Sequence, residues 1–400
     1  MQERPASAAD DLTAAPFRQP SPAVTVVLVD DSPVQRRFLR GALEATPEFV
    51  IVGEARNGRE AVSMVERLGP ATVLMDLDLP VMNGIEAIER IMAIRPTPIV
   101  VYSAFVDADN STNAIEALAA GAVDVVAKPS WGEGGQLEEY ADELRRRLRV
   151  AARVRVITHP RGRLRSGAAS VVRGAASRLR PVARVGSTVP ASPPPLSSPP
   201  PGTAALPPGT TRLVAIGAST GGPQALATLL GGLPADFEPA VLVVQHMAEG
   251  FIPGLVQWLD GLCPLPVVMG ATGRRLAPGT VTVAPSGLNL LVRDHLRVVC
   301  ESAPERQFHV PGIDASFFSI AESVGAEAVG VILTGMGRDG AMGLKAMRER
   351  GAVTFGQDEG TSAVYGMPAA AWALDAVEQQ LPLAQIGPAV LGVVRRQVSR

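Results

Sequence analysis

Short apolar runs alternate with amphipathic stretches along most of the chain. In the N-terminal third, the apolar runs are VTVVLV, FVIVGEA, ATVLM, PTPIVVYSA and GAVDVVA, and apolar positions at helical spacing separate them. Strands that alternate with helices predict a parallel, doubly wound sheet. The alternation returns from residue 211, with LVAIGA, AVLVVQ and VGVILTG as buried strands. We therefore predict an α/β protein with two doubly wound domains, the second with a mostly parallel sheet.

Two segments break this alternation and separate the domains. Residues 145–184 contain 13 Arg and no acidic residue, and the Pro/Ser tract STVPASPPPLSSPPPGTAALPPG follows. Such a tract favours extended polyproline II conformation and cannot pack a core. The predicted organisation is a disordered tail at 1–23, an N-terminal domain at 24–143, an Arg-rich then Pro-rich linker at 144–210, and a C-terminal domain at 211–395.

Composition narrows the class of protein. The chain has 400 residues, 46% of them hydrophobic, and a formal net charge of −2, so no nucleic acid is expected as a partner of the whole chain. Cys263 and Cys300 form no C-x-x-C pair, which disfavours a zinc site or disulfide framework and favours a reducing cytoplasm. The N-terminus lacks the apolar segment of a signal peptide, and the apolar runs are too short to span a membrane. A soluble, cytoplasmic protein without membrane insertion is expected.

Polar side chains stand where the N-terminal strands end. Asp30 and Asp31 follow the first strand, Asp76 follows the third, Ser103 ends the fourth and Lys128 follows the fifth. The carboxyl ends of parallel strands form one crevice. Clustered carboxylates with open coordination positions suit Mg²⁺. A carboxylate beside Mg²⁺ and a lysine can accept a phosphoryl group, and Asp76, after the central strand, is the candidate acceptor.

The strings VLVDDS, LMDLDLPVMNGIEA, VYSA and GAVDVVAKP resemble two-component receiver domains over residues 24–130. The resemblance implies a flavodoxin-like fold, phosphorylation at Asp76 and switch roles for Ser103 and Lys128. It also implies an Mg²⁺ site, whose ligands are Asp30, Asp31, Asp76 and, through its backbone carbonyl, Asp78. Receivers usually carry an aromatic switch residue three positions before the lysine, where this chain has Val125. Phosphorylation is expected to survive that change, whereas an aromatic-flip form of the switch is not supported.

The first strand of the C-terminal domain ends in a G-x-S-x-G pattern, LVAIGASTGG, which contains Ser219. Gly221, Gly222 and Pro223 suit a tight strand-to-helix turn. The helix that follows supplies N–H groups and a positive dipole end that can hold an oxyanion. The pattern is short, and a purely structural turn accounts for it as well as a nucleophile does.

A nucleophilic serine needs a base, and His246 is the best placed of the four histidines. It closes AVLVVQ, the next buried strand, and would lie at the same sheet edge as Ser219. His159 falls in the basic linker, His295 in an apparent hairpin turn, and His309 in a loop. A strand-end histidine that merely completes a turn remains the alternative.

The orienting acid is expected from a third strand end. VGVILTG is followed by MGRDG, in which Asp339 is the candidate partner of His246. The glycines there let backbone N–H groups crowd a small space, so the main chain of Met336 is a candidate oxyanion donor. Asp339 could instead cap the helix AMGLKAMRER, or do both.

The chain order Ser219, His246, Asp339 differs from the Ser, Asp, His order of α/β-hydrolases. With IGASTGGPQAL, VVQHM, ILTGMGRDGAMGL and TSAVYGMPAAA, it resembles the catalytic domain of chemotaxis protein-glutamate methylesterases over most of residues 211–395. The resemblance implies that Ser219 is the nucleophile, His246 the general base and acid, and Asp339 the orienting group. It places Thr220 and Met336 in the oxyanion region. HVPGID departs from the HRPSVD-like string usual there.

This resemblance also implies an activity and partners. The family hydrolyses methyl esters of glutamate side chains on methyl-accepting chemoreceptors, without a cofactor for the ester step, and many members deamidate receptor glutamines. A chemotaxis histidine kinase would be the phosphodonor. The unphosphorylated receiver is expected to cover the edge with Ser219, so deleting residues 1–140 should raise esterase activity.

Three other functions stay open at the level of sequence. The arginines of the linker could bind nucleic acid or an anionic membrane, as in a DNA-binding response regulator, although a solvated linker explains them too. An inactive hydrolase domain would make the protein an adaptor, but all three triad candidates are present. A hydrolase acting on an ester outside chemotaxis is the nearest alternative.

Overall fold

A computed structural model of the protein describes residues 22–103, 108–129, 137–154, 211–304, 307 and 309–398. The expected tail up to residue 21 and the linker from residue 155, including His159, lie outside the described residues. Within the described part of the chain, no helix has the length and apolar character needed to cross a membrane.

The N-terminal domain contains a parallel sheet in the order β2-β1-β3-β4-β5, which confirms the predicted doubly wound α/β class. Its strands are β1 (Val24–Val29), β2 (Phe49–Ala55), β3 (Thr72–Met75), β4 (Ile99–Ser103) and β5 (Asp124–Ala127). Its helices are α1 (Pro33–Glu44), α2 (Gly58–Leu68), α3 (Gly84–Ile94), α4 (Ala108–Ala120) and α5 (Leu137–Ala151). The central position of β3 places Asp76 at the middle of the carboxyl edge.

Side-chain caps fix where the first helices of this domain begin. Ser32, Asn57 and Asn83 precede α1, α2 and α3, and each side chain accepts a hydrogen bond from the N–H three residues later. Such caps satisfy backbone donors that the helix itself leaves unpaired. These helix starts therefore position the loops that carry the strand-end acids.

The last helix of the N-terminal domain runs past residue 143, where the sequence places the start of the linker. α5 continues to Ala151, and Leu144 and Leu148 are fully buried against the sheet face that contains Leu28. The arginine-rich composition makes this helix hard to recognise in the sequence, because Arg side chains alternate with the leucines that pack inward.

The C-terminal domain contains a second parallel sheet, in the order β14-β13-β12-β6-β7-β9-β8. Its strands are β6 (Leu213–Ala218), β7 (Ala240–Gln245), β8 (Val267–Met269), β9 (Val281–Val283), β12 (Ala328–Ile332), β13 (Val353–Gln357) and β14 (Gln379–Leu381). Its α-helices are α6 (Gly222–Gly231), α7 (Ile252–Asp260), α8 (Ile313–Ser323), α9 (Ala341–Glu349), α10 (Met367–Ala373) and α11 (Leu383–Val398). An antiparallel ribbon, β10 (Asn289–Arg293) and β11 (Arg297–Glu301), carries His295 in its turn, as predicted.

Candidate active site

Three neighbouring strands of the second sheet bring the expected catalytic side chains to one edge. Ser219 follows β6, His246 follows β7, and the loop with Asp339 follows β12, the strand on the other side of β6. The N–H of His246 donates to the carbonyl of Ala218 at 2.9 Å, and the N–H of Ser219 donates to the carbonyl of Thr334 at 3.0 Å. These bonds extend the parallel pairing beyond the strands and hold the three loops together.

His246 and Asp339 form a direct pair. Nε2 of His246 lies 2.8 Å from Oδ2 of Asp339, and the imidazole is almost fully buried. Nδ1 of His246 is also buried and has no hydrogen-bond partner within the described chain. Nε2 is engaged by the carboxylate, so Nδ1 is the ring nitrogen that remains for another partner, and among the described residues no hydrogen bond joins it to Ser219.

Asp339 is held as a charged group. Burial opposes its ionisation, but His246 and the N–H groups of Asp314 and Ile313 outweigh burial and lower its pKa to about 2. Oδ1 accepts from the N–H of Asp314 at 3.0 Å, and Oδ2 accepts from the N–H of Ile313 at 2.8 Å. A carboxylate with this many donors stays ionised at neutral pH and can stabilise an imidazolium.

Asp339 does not cap the helix that follows it, which was the alternative that the sequence left open. Gly340 is the N-cap of α9 and has no side chain to make a cap, while Asp339 accepts from the first two N–H groups of α8, at Ile313 and Asp314. The loop after β12 passes in front of α8, so Asp339 meets a helix that begins earlier in the chain. Sequence proximity alone indicated the wrong helix.

Two residues are expected in the oxyanion region: Thr220, which follows Ser219 in the chain, and Met336, in the loop after β12. The N–H groups of Thr220 and Met336 make no hydrogen bond within the described residues. Gly335 packs so closely on the serine that an added Cβ would lie 2.6 Å from the Cβ of Ser219. Met336 follows Gly335 directly, so its main chain lies near the turn that contains Ser219.

Two further polar residues at this edge were not singled out for a role by the sequence. Nε2 of Gln245 donates to the carbonyl of Ser219 at 2.9 Å and to the carbonyl of His246 at 2.7 Å, which ties the two strand ends together. His309 stacks on His246, with ring centroids 4.4 Å apart and 22° between the planes. The only sequence signal for Gln245 is a polar residue at the end of an otherwise apolar, fully buried strand.

His309 is held neutral in this position. Burial, then the neighbouring His246 and Arg146, lower its pKa to about 4, although Asp339 and Glu143 act in the opposite direction. Its ring therefore packs against His246 as an uncharged aromatic surface near neutral pH. The sequence placed His309 in a loop, which is correct, but the loop folds back onto His246.

The carboxyl edge of the N-terminal sheet gathers the residues expected for phosphorylation. Nζ of Lys128 lies 3.0 Å from Oδ2 of Asp30 and 2.7 Å from Oδ2 of Asp76. One carboxylate oxygen each from Asp30, Asp31 and Asp76 falls within 4.8 Å of the others. Burial raises the pKa of Asp76 to about 6, the lysine opposes this, and the charge of Asp30 adds to it. Three carboxylates against one lysine leave a negative excess that fits a hard divalent cation.

The remaining receiver-type positions surround this cluster. The buried Ser103 ends β4, and its carbonyl accepts from the N–H of Lys128 at 2.8 Å. Asp78 lies in the loop after Asp76, and its N–H points to Oδ1 of Asp76 at 3.4 Å. Val125 is buried on β5, so an aliphatic side chain fills the position where receivers usually carry an aromatic one.

Comparison with known proteins decides the family. The family model for the CheB methylesterase matches residues 214–390, and the model for the response regulator receiver domain matches residues 26–138. A protein from Paramagnetospirillum magneticum named protein-glutamate methylesterase/protein-glutamine glutaminase 3 is 40% identical over 375 residues, which cover 94% of this chain and 97% of that protein. The chain belongs to the CheB methylesterase family. Both of its α/β domains are therefore accounted for by one family of two-domain proteins.

Other CheB relatives give the same picture. A Cupriavidus pinatubonensis protein named protein-glutamate methylesterase/protein-glutamine glutaminase 1 is 41% identical over 363 residues, covering 91% of this chain and 95% of that protein. Among solved structures, the CheB methylesterase catalytic domain of Thermotoga maritima is 30% identical, with a TM-score of 0.45, and covers 46% of this chain and 100% of that chain.

The receiver domain contacts the methylesterase domain at the turn after Ser219. The N–H of Gly221 donates to the carbonyl of Val123 at 3.3 Å. Nε2 of Gln224, on the first turn of α6, donates to the carbonyls of Leu118 and Ala122 at 2.9 and 2.7 Å. Helix α4 of the receiver also packs against α7. The receiver thus touches the turn and helix that follow Ser219.

Proposed function

We propose that this protein is a receiver-controlled serine hydrolase that demethylates glutamate methyl esters on chemoreceptors and deamidates receptor glutamines. The observation that carries the proposal is the arrangement of Ser219, His246 and Asp339 on three neighbouring strand ends, with the His246–Asp339 pair at 2.8 Å. Two relatives whose names state this activity span nearly the whole chain. The chemistry needs a nucleophile, a base and an orienting carboxylate, and each is available at this edge.

In this mechanism, Nδ1 of His246 acts as the base, because Nε2 is bound to Asp339. Oγ of Ser219 attacks the carbonyl carbon of the ester, and Nδ1 of His246 takes the hydroxyl proton. The N–H groups of Thr220 and Met336 hold the oxyanion. The carbon–oxygen bond to the methoxy group breaks, and methanol leaves with the proton that His246 returns. Asp339 stabilises the imidazolium in both steps.

Hydrolysis of the acyl-enzyme completes the cycle. Water attacks the acyl carbon, Nδ1 of His246 takes a proton from it, and Ser219 leaves with that proton as the receptor glutamate is released. With a glutamine substrate, ammonia is the leaving group in the first half and the second half is identical. These steps use only groups of the chain, its substrate and water.

The receiver domain provides the control. Asp76 accepts a phosphoryl group from a chemotaxis histidine kinase, and Asp30, Asp31 and Asp76 would hold the Mg²⁺, which neutralises charge on the phosphoryl oxygens. Phosphorylation favours an arrangement in which the receiver no longer contacts the turn at Gly221, which opens the active site to a receptor helix. Such a system operates in the cytoplasm, where kinase and receptor tails are accessible.

Methanol release tests the proposal directly. Methyl-labelled receptor membranes are incubated with the wild-type protein, with Ser219→Ala and with Ser323→Ala, in the presence and absence of a small-molecule phosphodonor. Ser323 is the matched control, because it lies at the opposite end of α8 and its hydroxyl donates to Val292. Wild type and Ser323→Ala should release methanol, more with phosphodonor, and Ser219→Ala should lose at least roughly a thousandfold of the rate. Equal release from Ser219→Ala would refute the serine mechanism.

A further inference from the structure

A second carboxylate lies directly behind the His246–Asp339 pair. Asp314 is in the first turn of α8, and its Oδ1 accepts from the N–H of Gly343 in α9 at 2.7 Å. Asp339, which precedes α9, accepts in return from the N–H of Asp314 at 3.0 Å. The Asp339 carboxylate therefore caps α8, which carries Asp314. The Asp314 carboxylate caps α9, which follows Asp339. This reciprocal arrangement fixes the two acids against one another.

Close packing of the two helices leaves these carboxylates little freedom. A Cβ added to Gly343 would lie 2.6 Å from the Cβ of Phe317 and 2.9 Å from the carbonyl oxygen of Asp314. A Cβ added to Gly340 would lie 2.6 Å from Cγ2 of Ile313. Interiors packed this tightly transmit displacements instead of absorbing them. A change in the Asp314 side chain is therefore transmitted to Asp339.

The N–H of Asp314 binds the Asp339 carboxylate, so the two acids are close enough for the charge of one to act on the other. Asp339 keeps its charge, because His246 and two helix N–H groups bind it. Burial, together with the charge of Asp339, raises the pKa of Asp314 to about 6, against the opposing N–H of Gly343. Asp314 is thus the member that takes up the proton.

The other groups around Asp314 are few. From β7 comes His246, which binds the same Asp339 carboxylate, and the loop before α8 contributes His309, stacked on His246. Strand β10 contributes the uncharged Asn289, which accepts from the N–H of Gly312. Helix α9 contributes backbone N–H groups, and its Lys345 lies near Glu349 at the other end. Among the described groups, Asp339 is the charged side chain that acts on Asp314 directly.

We propose that Asp314 is a positioning residue for the Asp339–His246 pair, an inference that rests on the proposed hydrolase function. Its carboxylate accepts from Gly343 and ties the start of α9 to α8, and its N–H binds Asp339, so Asp314 holds the Asp339 carboxylate in place against Nε2 of His246. In its protonated form, the Asp314 carboxyl group donates a hydrogen bond to Asp339 and weakens the stabilisation of an imidazolium at His246. In its charged form, it strengthens that stabilisation.

Two substitutions separate this function from a purely structural one. Asp314→Asn keeps an oxygen for the N–H of Gly343 and an amide donor for Asp339 but cannot ionise. Asp314→Ala removes both groups. Asp260→Ala is the control, because it removes a carboxylate that accepts from the N–H of Val267 at the β8 edge of the sheet, away from β6 and β12. All four full-length proteins are compared by kcat/KM against pH, by thermal unfolding, and by NMR titration of ¹³C-labelled histidines.

We expect Asp314→Asn to keep kcat/KM within roughly threefold at alkaline pH and Asp314→Ala to lose roughly tenfold or more. The His246 titration should move to lower pH in Asp314→Asn, and the acid limb of its pH–rate profile should move with it. Asp260→Ala should leave both curves in place. An unshifted His246 titration in both Asp314 variants, with any rate loss following thermal stability, overturns the inference.

The titration also separates this inference from the proposed function, because it needs no substrate. Failure of the wild-type protein to release methanol would refute the hydrolase function, whereas the response of His246 to Asp314→Asn would still show whether Asp314 acts on the pair. A wild-type enzyme that is active but whose His246 is insensitive to Asp314 would keep the function and refute the positioning residue.

Discussion

At the scale of single residues, His246 makes two contacts through its ring. One edge of His246 binds Asp339, and one face stacks on His309. The carboxylate can stabilise an imidazolium when one forms, while an uncharged His309 avoids placing a second positive charge beside it. The stacked partner therefore needs to stay neutral over the range in which the base works.

This neutrality has a measurable consequence for stability. His309 has a pKa of about 4 in the folded protein, against about 6.5 for an ordinary histidine. Between these values the unfolded state binds more protons, so the free energy of unfolding falls as the pH falls from about 6.5 to 4. The loss from this one residue is about 3 kcal/mol. His309→Phe keeps a stacked ring without a titrating group and should lack that loss.

Denaturant unfolding of wild type and His309→Phe at pH 7 and at pH 4 measures this difference. His295→Asn serves as the control, because it removes an exposed histidine in the β10–β11 turn and asparagine tolerates the positive φ of 59° there. An equal drop in unfolding free energy for wild type and His309→Phe would contradict the assignment of His309 as a buried neutral ring.

At the scale of elements, the loop between β12 and α9 decides where Asp339 points. Gly337 and Gly340 both adopt left-handed backbone, with φ of 87° and 89°. They differ in surroundings: an added Cβ at Gly337 has nothing within 4 Å, whereas at Gly340 it meets Ile313 and Ile332. The same backbone conformation thus occurs once in open space and once against the start of α8.

Gly340→Ala should therefore cost more than Gly337→Ala. Left-handed backbone costs about 1–2 kcal/mol for a residue with a Cβ, and this applies to both variants. The contact with Ile313 adds about 1–3 kcal/mol at Gly340 and displaces the helix end that binds Asp339. Gly337→Ala should unfold at a higher temperature and release methanol faster than Gly340→Ala. Equal stability and activity of the two variants would show that α8 yields to the added methyl group.

The elements also show how far the sequence can predict this protein. Strands such as β6 and β7 are apolar runs buried on both faces, and parallel strands share one carboxyl edge, so Ser219, His246 and Asp339 could be grouped without coordinates. The partner of Asp339 in α8 could not be predicted, because it depends on how a loop crosses a helix distant in sequence. The stacking of His309 on His246 could not be predicted for the same reason, whereas the far end of α5 was missed because its arginines resemble those of the linker.

At the scale of the whole molecule, the two domains share a continuous apolar cluster. Val125 of the receiver and Leu226 of the methylesterase domain belong to the same set of buried, touching side chains. Around it, Gln224 donates to two carbonyls of the receiver, and Gly221 to a third. In the proposed function, this interface competes with receptor access, and phosphorylation overcomes its stability.

Weakening the interface at one residue should therefore mimic part of the effect of phosphorylation. Gln224→Ala removes two hydrogen bonds to the receiver, about 1–2 kcal/mol together, so methanol release without phosphodonor should rise about five- to thirtyfold. With phosphodonor, the variant and wild type should converge, because the receiver has already moved away. Asp76→Asn combined with Gln224→Ala should keep the elevated rate.

Thr228→Ala is the matched control for this variant. Its hydroxyl donates to the carbonyl of Gln224 within the same helix, so its loss alters α6 without removing a contact to the receiver. The point substitution is sharper than deleting residues 1–140, because that deletion would cut α5 between Tyr140 and Ala141 and expose Leu144 and Leu148. A Gln224→Ala protein with wild-type basal activity would mean that the hydrogen bonds at α6 do not hold the closed arrangement. Control would then rest on the apolar packing of α4 against α7.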